Sequence, residues 1–143
     1  MAPYNACVLG SINLAKVFNK GSVDWSLLEE VTETAVRFLD NIVTINEYPI
    51  PRIKEEHDKQ RRIGLGITGL ADILIKAGLS YRGESGRKFA SSIMDFINDK
   101  SIEASEKLGL EKGSFPLFEE SIYFGKYQAM RNAATTTIAP TGI

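Results

Sequence analysis

Strand-forming residues are scarce in this chain and confined to three short stretches. Cys7-Val8-Leu9 is an apolar run. Arg62-Ile63-Gly64-Leu65-Gly66-Ile67 is a glycine-rich one. Thr135-Thr136-Thr137-Ile138 is β-branched throughout. Long helical patterns separate them, and strands alternating with helices indicate α/β layering. About three short strands rarely complete a sheet and cannot close a barrel. The 143 residues suit one domain with a sizeable core. The expectation is therefore a helix-rich α/β domain, residues 1–143, that forms part of something larger.

A first helix is predicted from about Trp25 to Ile45, with Asp24 as N-cap and Ser26-Leu27-Leu28-Glu29 as a capping box one turn in. Leu28, Val31, Ala35, Phe38, Leu39 and Ile42 mark its apolar face, and Glu29, Glu30, Glu33, Arg37 and Asp40 are assigned to the solvated one. Pro49 and Pro51 end the segment. Pro51–Arg62 reads as a charged helical connection. It contains His57, placed in a solvated turn with no catalytic role. A short helix over Leu70–Ala77 precedes Gly78. A second long one over Ser85–Leu108 carries Phe89, Ile93, Phe96, Ile97, Ala104 and Leu108 and is stopped by Gly109. Phe118–Tyr127 reads as a short helix broken near Gly125, in an aromatic cluster spaced for packing rather than base stacking.

Composition narrows the partners. A net charge of −1 gives no electrostatic reason to expect nucleic acid or an anionic membrane. No apolar run approaches the roughly 20 residues that span a bilayer, and Met1–Tyr4 lacks the features of a secretory signal. One cysteine, Cys7, cannot form an internal disulfide, so a cytoplasmic location is the simple inference. One cysteine and one histidine cannot build a zinc site, and no metal is expected.

Three features carry candidate chemistry. Gly64, Gly66 and Gly69 match the spacing of a dinucleotide-binding turn. That turn needs a hydrophobic strand before its first glycine, whereas Asp58–Arg62 is polar, so a strand with close neighbours is the better reading. Thr135–Ile138 ends at Pro140-Thr141-Gly142. There the chain cannot continue strand pairing and leaves N–H groups free, which can hold a phosphate or simply form a loop exit. Cys7 is either a buried inert thiol or a reactive one.

Taken together, Cys7-Val8-Leu9-Gly10-Ser11-Ile12-Asn13-Leu14, Asn46-Glu47-Tyr48-Pro49, Arg62–Asp72 and Arg131–Gly142 resemble the catalytic chain of ribonucleotide reductases, most closely the adenosylcobalamin-dependent class II branch. The resemblance covers essentially the whole chain and implies part of a ten-stranded α/β barrel. It implies reduction of ribonucleoside di- or triphosphates by radical chemistry, with adenosylcobalamin as cofactor of the full-length enzyme and none bound to this piece. Cys7 is then one of the two cysteines that supply electrons, re-reduced by an external dithiol. Pro140, Thr141, Gly142 and Ile143 correspond to the substrate-phosphate loop. The family carries asparagine where Val8 stands and a hydroxyl residue where Ile143 stands. The radical cysteine, the general base and the partner of Cys7 are expected before Met1, on the rest of the catalytic chain. This piece is not expected to turn over nucleotides alone. A non-catalytic helical interaction module and a small dinucleotide-binding domain are the competing readings.

Overall fold

The computed structural model describes residues 4–139. Strand β1 (Val8–Asn13) lies parallel to β4 (Ile63–Thr68), with Val8 opposite Ile63 and Asn13 opposite Thr68. Between them come a small hairpin, β2 (Phe18–Asn19) and β3 (Ser22–Val23), then helices α1 (Trp25–Ile45) and α2 (Pro51–Gln60). Helices α3 (Leu70–Lys76) and α4 (Glu84–Lys112) follow β4. Beyond α4 the chain makes a 3-10 turn at Phe118–Glu120 and returns along the free side of β4. Parallel strands need crossovers of this length, and here they are helical.

The third strand is only partly regular. Thr136 bridges Leu65 in parallel fashion, Leu65 N donates to Thr135 O at 2.8 Å, and Thr137 N donates to Leu65 O at 3.1 Å. The sheet order is therefore β1, β4, closing segment. On one face α1 and α4 cover it. Ile12, Ile63 and Leu65 are buried there with Leu28, Val36, Leu39, Val43, Ile93, Ile97 and Leu108. β1 alternates as a half-buried strand should, and Leu9 stays 52% exposed on the opposite face.

Helix α1 has the expected limits, but its cap is simpler. The Asp24 side chain accepts from Leu27 N at 3.0 Å and marks the helix start without the Ser26–Glu29 box. Its faces are also rotated from the expected ones. Leu28, Thr32, Val36, Leu39, Asp40 and Val43 are buried, whereas Phe38 is 61% exposed. Asp40 thus occupies a core position four residues after Val36, one turn along the same stripe. Strand β1 runs unbroken through Gly10 and Ser11. Phe118–Tyr127 is not a helix beyond the single 3-10 turn.

Helix α4 does not stop at Gly109. It continues to Lys112 and ends at Gly113, whose φ of +86° suits glycine. Gly109 has another task. A Cβ there would stand 2.8 Å from Met130 N and 3.0 Å from Met130 C, so the returning backbone rests directly on the helix. Gly109→Ala is expected to lower stability by about 1–3 kcal/mol through this clash, although alanine is intrinsically the better helix former. Urea denaturation of the two proteins checks it.

Candidate functional site

The face of the sheet away from α1 and α4 has almost no side chains at its centre. Gly64 and Gly66 occupy the middle of β4. A Cβ on Gly64 would meet Leu9 Cδ2 at 2.6 Å, Thr137 Cγ2 at 2.6 Å and Cys7 Sγ at 3.1 Å; one on Gly66 would meet the Thr137 carbonyl at 2.7 Å. The bare glycines let both neighbouring strands lean over β4. They bring the thiol of the opening segment and the side chain of the closing one to the same spot. Their place inside a strand, rather than at its turn into a helix, also disposes of the dinucleotide-binding reading.

Cys7 is a half-buried free thiol. Burial pushes its pKa up, and the positive charge of Arg62 pulls against that. Two residues earlier, Asn5 has both side-chain amide atoms buried and unpaired among the described residues. Buried amides are normally satisfied, so this corner needs a partner that residues 4–139 do not supply. Pro140, Thr141, Gly142 and Ile143 lie outside the described residues. The segment leading to them, Thr135–Ala139, runs along β4 on the side opposite β1. Among the described residues no group of His, Cys, Asp or Glu could hold a metal, and no helix is long and apolar enough to cross a membrane.

A buried polar network fixes where β4 and the closing segment begin. Asp40 Oδ1 accepts from Arg61 Nε at 3.0 Å, Arg61 Nη2 at 2.8 Å and Asn132 Nδ2 at 3.2 Å; Oδ2 accepts from Arg131 Nε at 3.2 Å. Asn132 Nδ2 also donates to the Arg61 carbonyl at 2.9 Å. Arg61 sits in the left-handed region at φ +47°, two residues before β4, and Arg131-Asn132 immediately precede the closing segment. Farther on, α4 replaces missing strand pairing with side-chain bonds. Ser105 Oγ exchanges hydrogen bonds with Asn132, Ser101 Oγ meets Thr135 Oγ1 at 2.8 Å, and Thr136 Oγ1 donates to Asn98 Oδ1 at 3.0 Å.

His57 is fully buried rather than solvated. Its Nδ1 pairs with the Tyr48 hydroxyl, and its Nε2 lies 3.1 Å from the Arg62 carbonyl. The carbonyl can only accept, so Nε2 carries the proton and Nδ1 accepts from Tyr48. Both bonds are satisfied by the neutral ring. The sequence hid His57 behind charged neighbours and Asp40 behind its residue type; only Asp40's position on the buried stripe of α1 could have exposed it.

This is a helix-covered parallel sheet with a thiol on its bare face, the arrangement of one part of an α/β catalytic barrel. The chain belongs to the ribonucleotide reductase barrel-domain family, which matches residues 2–137. The vitamin B12-dependent ribonucleoside-diphosphate reductase of Mycobacterium tuberculosis is 43% identical over 142 residues, covering 99% of this chain and 20% of that protein. The protein of the same name from Thermoplasma acidophilum is also 43% identical, over 143 residues, covering 99% of this chain and 19% of that protein. The ribonucleoside-diphosphate reductase subunit alpha of Chlamydia trachomatis is 37% identical over 115 residues, 80% of this chain and 11% of the relative. The chain thus spans about a fifth of the length of the first two.

Two outcomes follow from the buried groups. Asp40→Asn leaves Arg61 and Arg131 without their countercharge and is expected to cost about 3–5 kcal/mol, measured by chemical denaturation. Burial lowers the pKa of His57 below its ordinary 6.5. Above that pH the ring is neutral in both folded and unfolded chains. Below it only the unfolded chain takes the proton at first, so stability falls as pH drops from about 6.5 toward the folded value. The protein has one histidine, so its imidazole NMR signal reports the midpoint directly; Tyr48→Phe should move that midpoint upward.

Proposed function

We propose that this chain forms part of the catalytic barrel of a ribonucleoside-diphosphate or -triphosphate reductase. In this reading it supplies one redox-active cysteine, Cys7, and the substrate-phosphate loop, Pro140, Thr141, Gly142 and Ile143. The supporting observation is the convergence of Cys7 Sγ and Thr137 over Gly64. A thiol and the segment that leads to the loop share one face of the sheet, as they must if one nucleotide meets both. The reaction is radical reduction of the ribose. Cys7 provides one of the two sulfurs that give up electrons and join as a disulfide, which an external dithiol reopens. The remainder of the catalytic chain carries the other sulfur and covers the bare face. A cytoplasmic location suits this cycle, because that compartment supplies the reducing dithiol.

Adenosylcobalamin, implied by the names of the Mycobacterium and Thermoplasma relatives, does not fit residues 4–139 by themselves. The hollow along the outer edge of β1, lined mainly by Leu9, Val31, Ala35, Phe38, Leu39 and Ile42, holds about 330 Å³, and the one beside Phe115, Phe118 and Phe124 holds about 460 Å³. Both volumes lie in the lower half of the range for drug-sized ligands, and a corrinoid is far larger. The cofactor's place is with the rest of the catalytic chain, and this segment contributes thiol and phosphate contacts.

In the full-length reductase, Cys7→Ser is expected to abolish multiple turnover with a dithiol reductant; a wild-type steady-state rate would overturn the redox role. Thr141→Ala removes a hydrogen bond to a charged phosphate, worth about 1.5–3 kcal/mol. The expected rise in nucleotide KM is on the order of 10- to 100-fold, and an unchanged KM would remove the loop from the site.

A further inference from the structure

The function of Cys7 leaves open what makes its thiol reactive in a half-buried position. We propose that Arg62 is the positioning residue for this step: it stands across from Cys7 in the β1–β4 register, and its positive charge stabilises Cys7 as a thiolate. The proposal rests on the redox reading of Cys7 given above.

The register supplies the placement. Val8 pairs with Ile63, so one step back along both strands Cys7 stands across from Arg62. Cys7 Sγ comes within 3.1 Å of where a Gly64 Cβ would be, and Arg62, two residues before Gly64, shares that face. Two bonds hold it there. Its carbonyl accepts from His57 Nε2 at 3.1 Å, and its Nε donates to Gln60 Oε1 at 2.5 Å. Tyr48 fixes His57 in turn. The Asn46–Pro49 motif thereby acquires a task that packing alone does not give it.

The adjacent arginines divide their work. Arg61 turns inward, and Asp40 and Thr44 occupy its guanidinium. Arg62 makes no ion pair among the described residues. Its charge acts on two nearby acids, the Cys7 thiol and the Tyr123 phenol. Burial holds both groups up, and Arg62 pulls against it at both; the thiol is the one that stands across from Arg62 in the strand register.

The exchange step uses that charge. A thiolate of the external dithiol attacks the partner sulfur of the Cys7 disulfide. The S–S bond breaks, and Cys7 Sγ leaves with the electron pair as a thiolate beside Arg62. The second thiol of the dithiol then attacks the mixed disulfide and frees the partner sulfur. The dithiol ends oxidised, and both protein sulfurs end reduced. A leaving thiol of lower pKa leaves faster, so the cation speeds re-reduction without touching the nucleotide.

The test uses the full-length reductase in its reduced state. Alkylation of Cys7 by iodoacetamide is followed against pH by peptide-resolved mass spectrometry. Arg62→Gln is expected to raise the midpoint by about half to one pH unit, with alkylation roughly three- to tenfold slower below it. Arg62→Lys, which keeps the charge, is expected to stay near the wild-type midpoint. Raising the salt concentration should move the wild-type midpoint upward and leave that of Arg62→Gln in place. Coincident profiles for wild type and Arg62→Gln, or a wild-type profile insensitive to salt, would overturn the proposal. Cys7→Ser distinguishes the two levels. Normal turnover in that variant removes the redox reading itself, whereas its loss alongside unchanged alkylation in Arg62→Gln removes only the role of Arg62.

Discussion

One carboxylate, that of Asp40, is the fixed point of this structure. It lies fully buried on α1 and binds groups at the start of two separate strands, Arg61 before β4 and Arg131 with Asn132 before the closing segment. Arg61 is separated from Asp40 by 21 positions and Asn132 by 92. A group that ties such distant points cannot be exchanged for packing alone, because removing it strands two cations away from water. The hydrophobic core around Val36, Leu39, Ile63 and Leu65 supplies most of the cohesion, but cohesion does not set register. The directional bonds of the network do.

Register matters because the bare face depends on it. A slip by one residue would carry Gly64 and Gly66 to the helix side and turn Ile63 and Leu65 outward. The thiol of Cys7 and the closing segment would then be kept apart by large side chains. The polar anchors at Asp40, His57, Ser101 and Ser105 all lie at the ends or on the helix side of the strands. The rigid half of the domain therefore holds the open half in place, as a site built on a supported scaffold requires.

Much of this was legible in the sequence. Helix α1 follows its cap and its proline stop, and the glycine block is a strand as expected, because apolar periodicity and backbone chemistry are local signals. The motif resemblance gave the family to which the chain belongs. What escaped detection depended on tertiary partners. His57 sits among five charged neighbours, and nothing local shows that Tyr48 and a carbonyl enclose it. Asp40 has the residue type of a surface position and the spacing of a core one; its arginine partners decided between them. Gly109 was read as a helix stop because glycine serves that use often, whereas here it makes room for a crossing backbone.

That crossing at Gly109 also decides where the molecule can vary in length. The chain leaves α4 at Gly113, and Phe115 N donates to Met130 O at 2.9 Å, which closes the excursion near its base. The stretch from Pro116 to Gln128 lies outside that closure, pinned at its start by Leu117 N donating to Lys59 O at 3.2 Å and by the buried Phe118, while Met130 is pressed onto the helix on its way to the sheet. Insertions or deletions beyond that pin, between Glu119 and Lys126, would be absorbed there, and the closing segment would still arrive beside β4. The domain can remodel this surface without disturbing the seam on which the thiol lies.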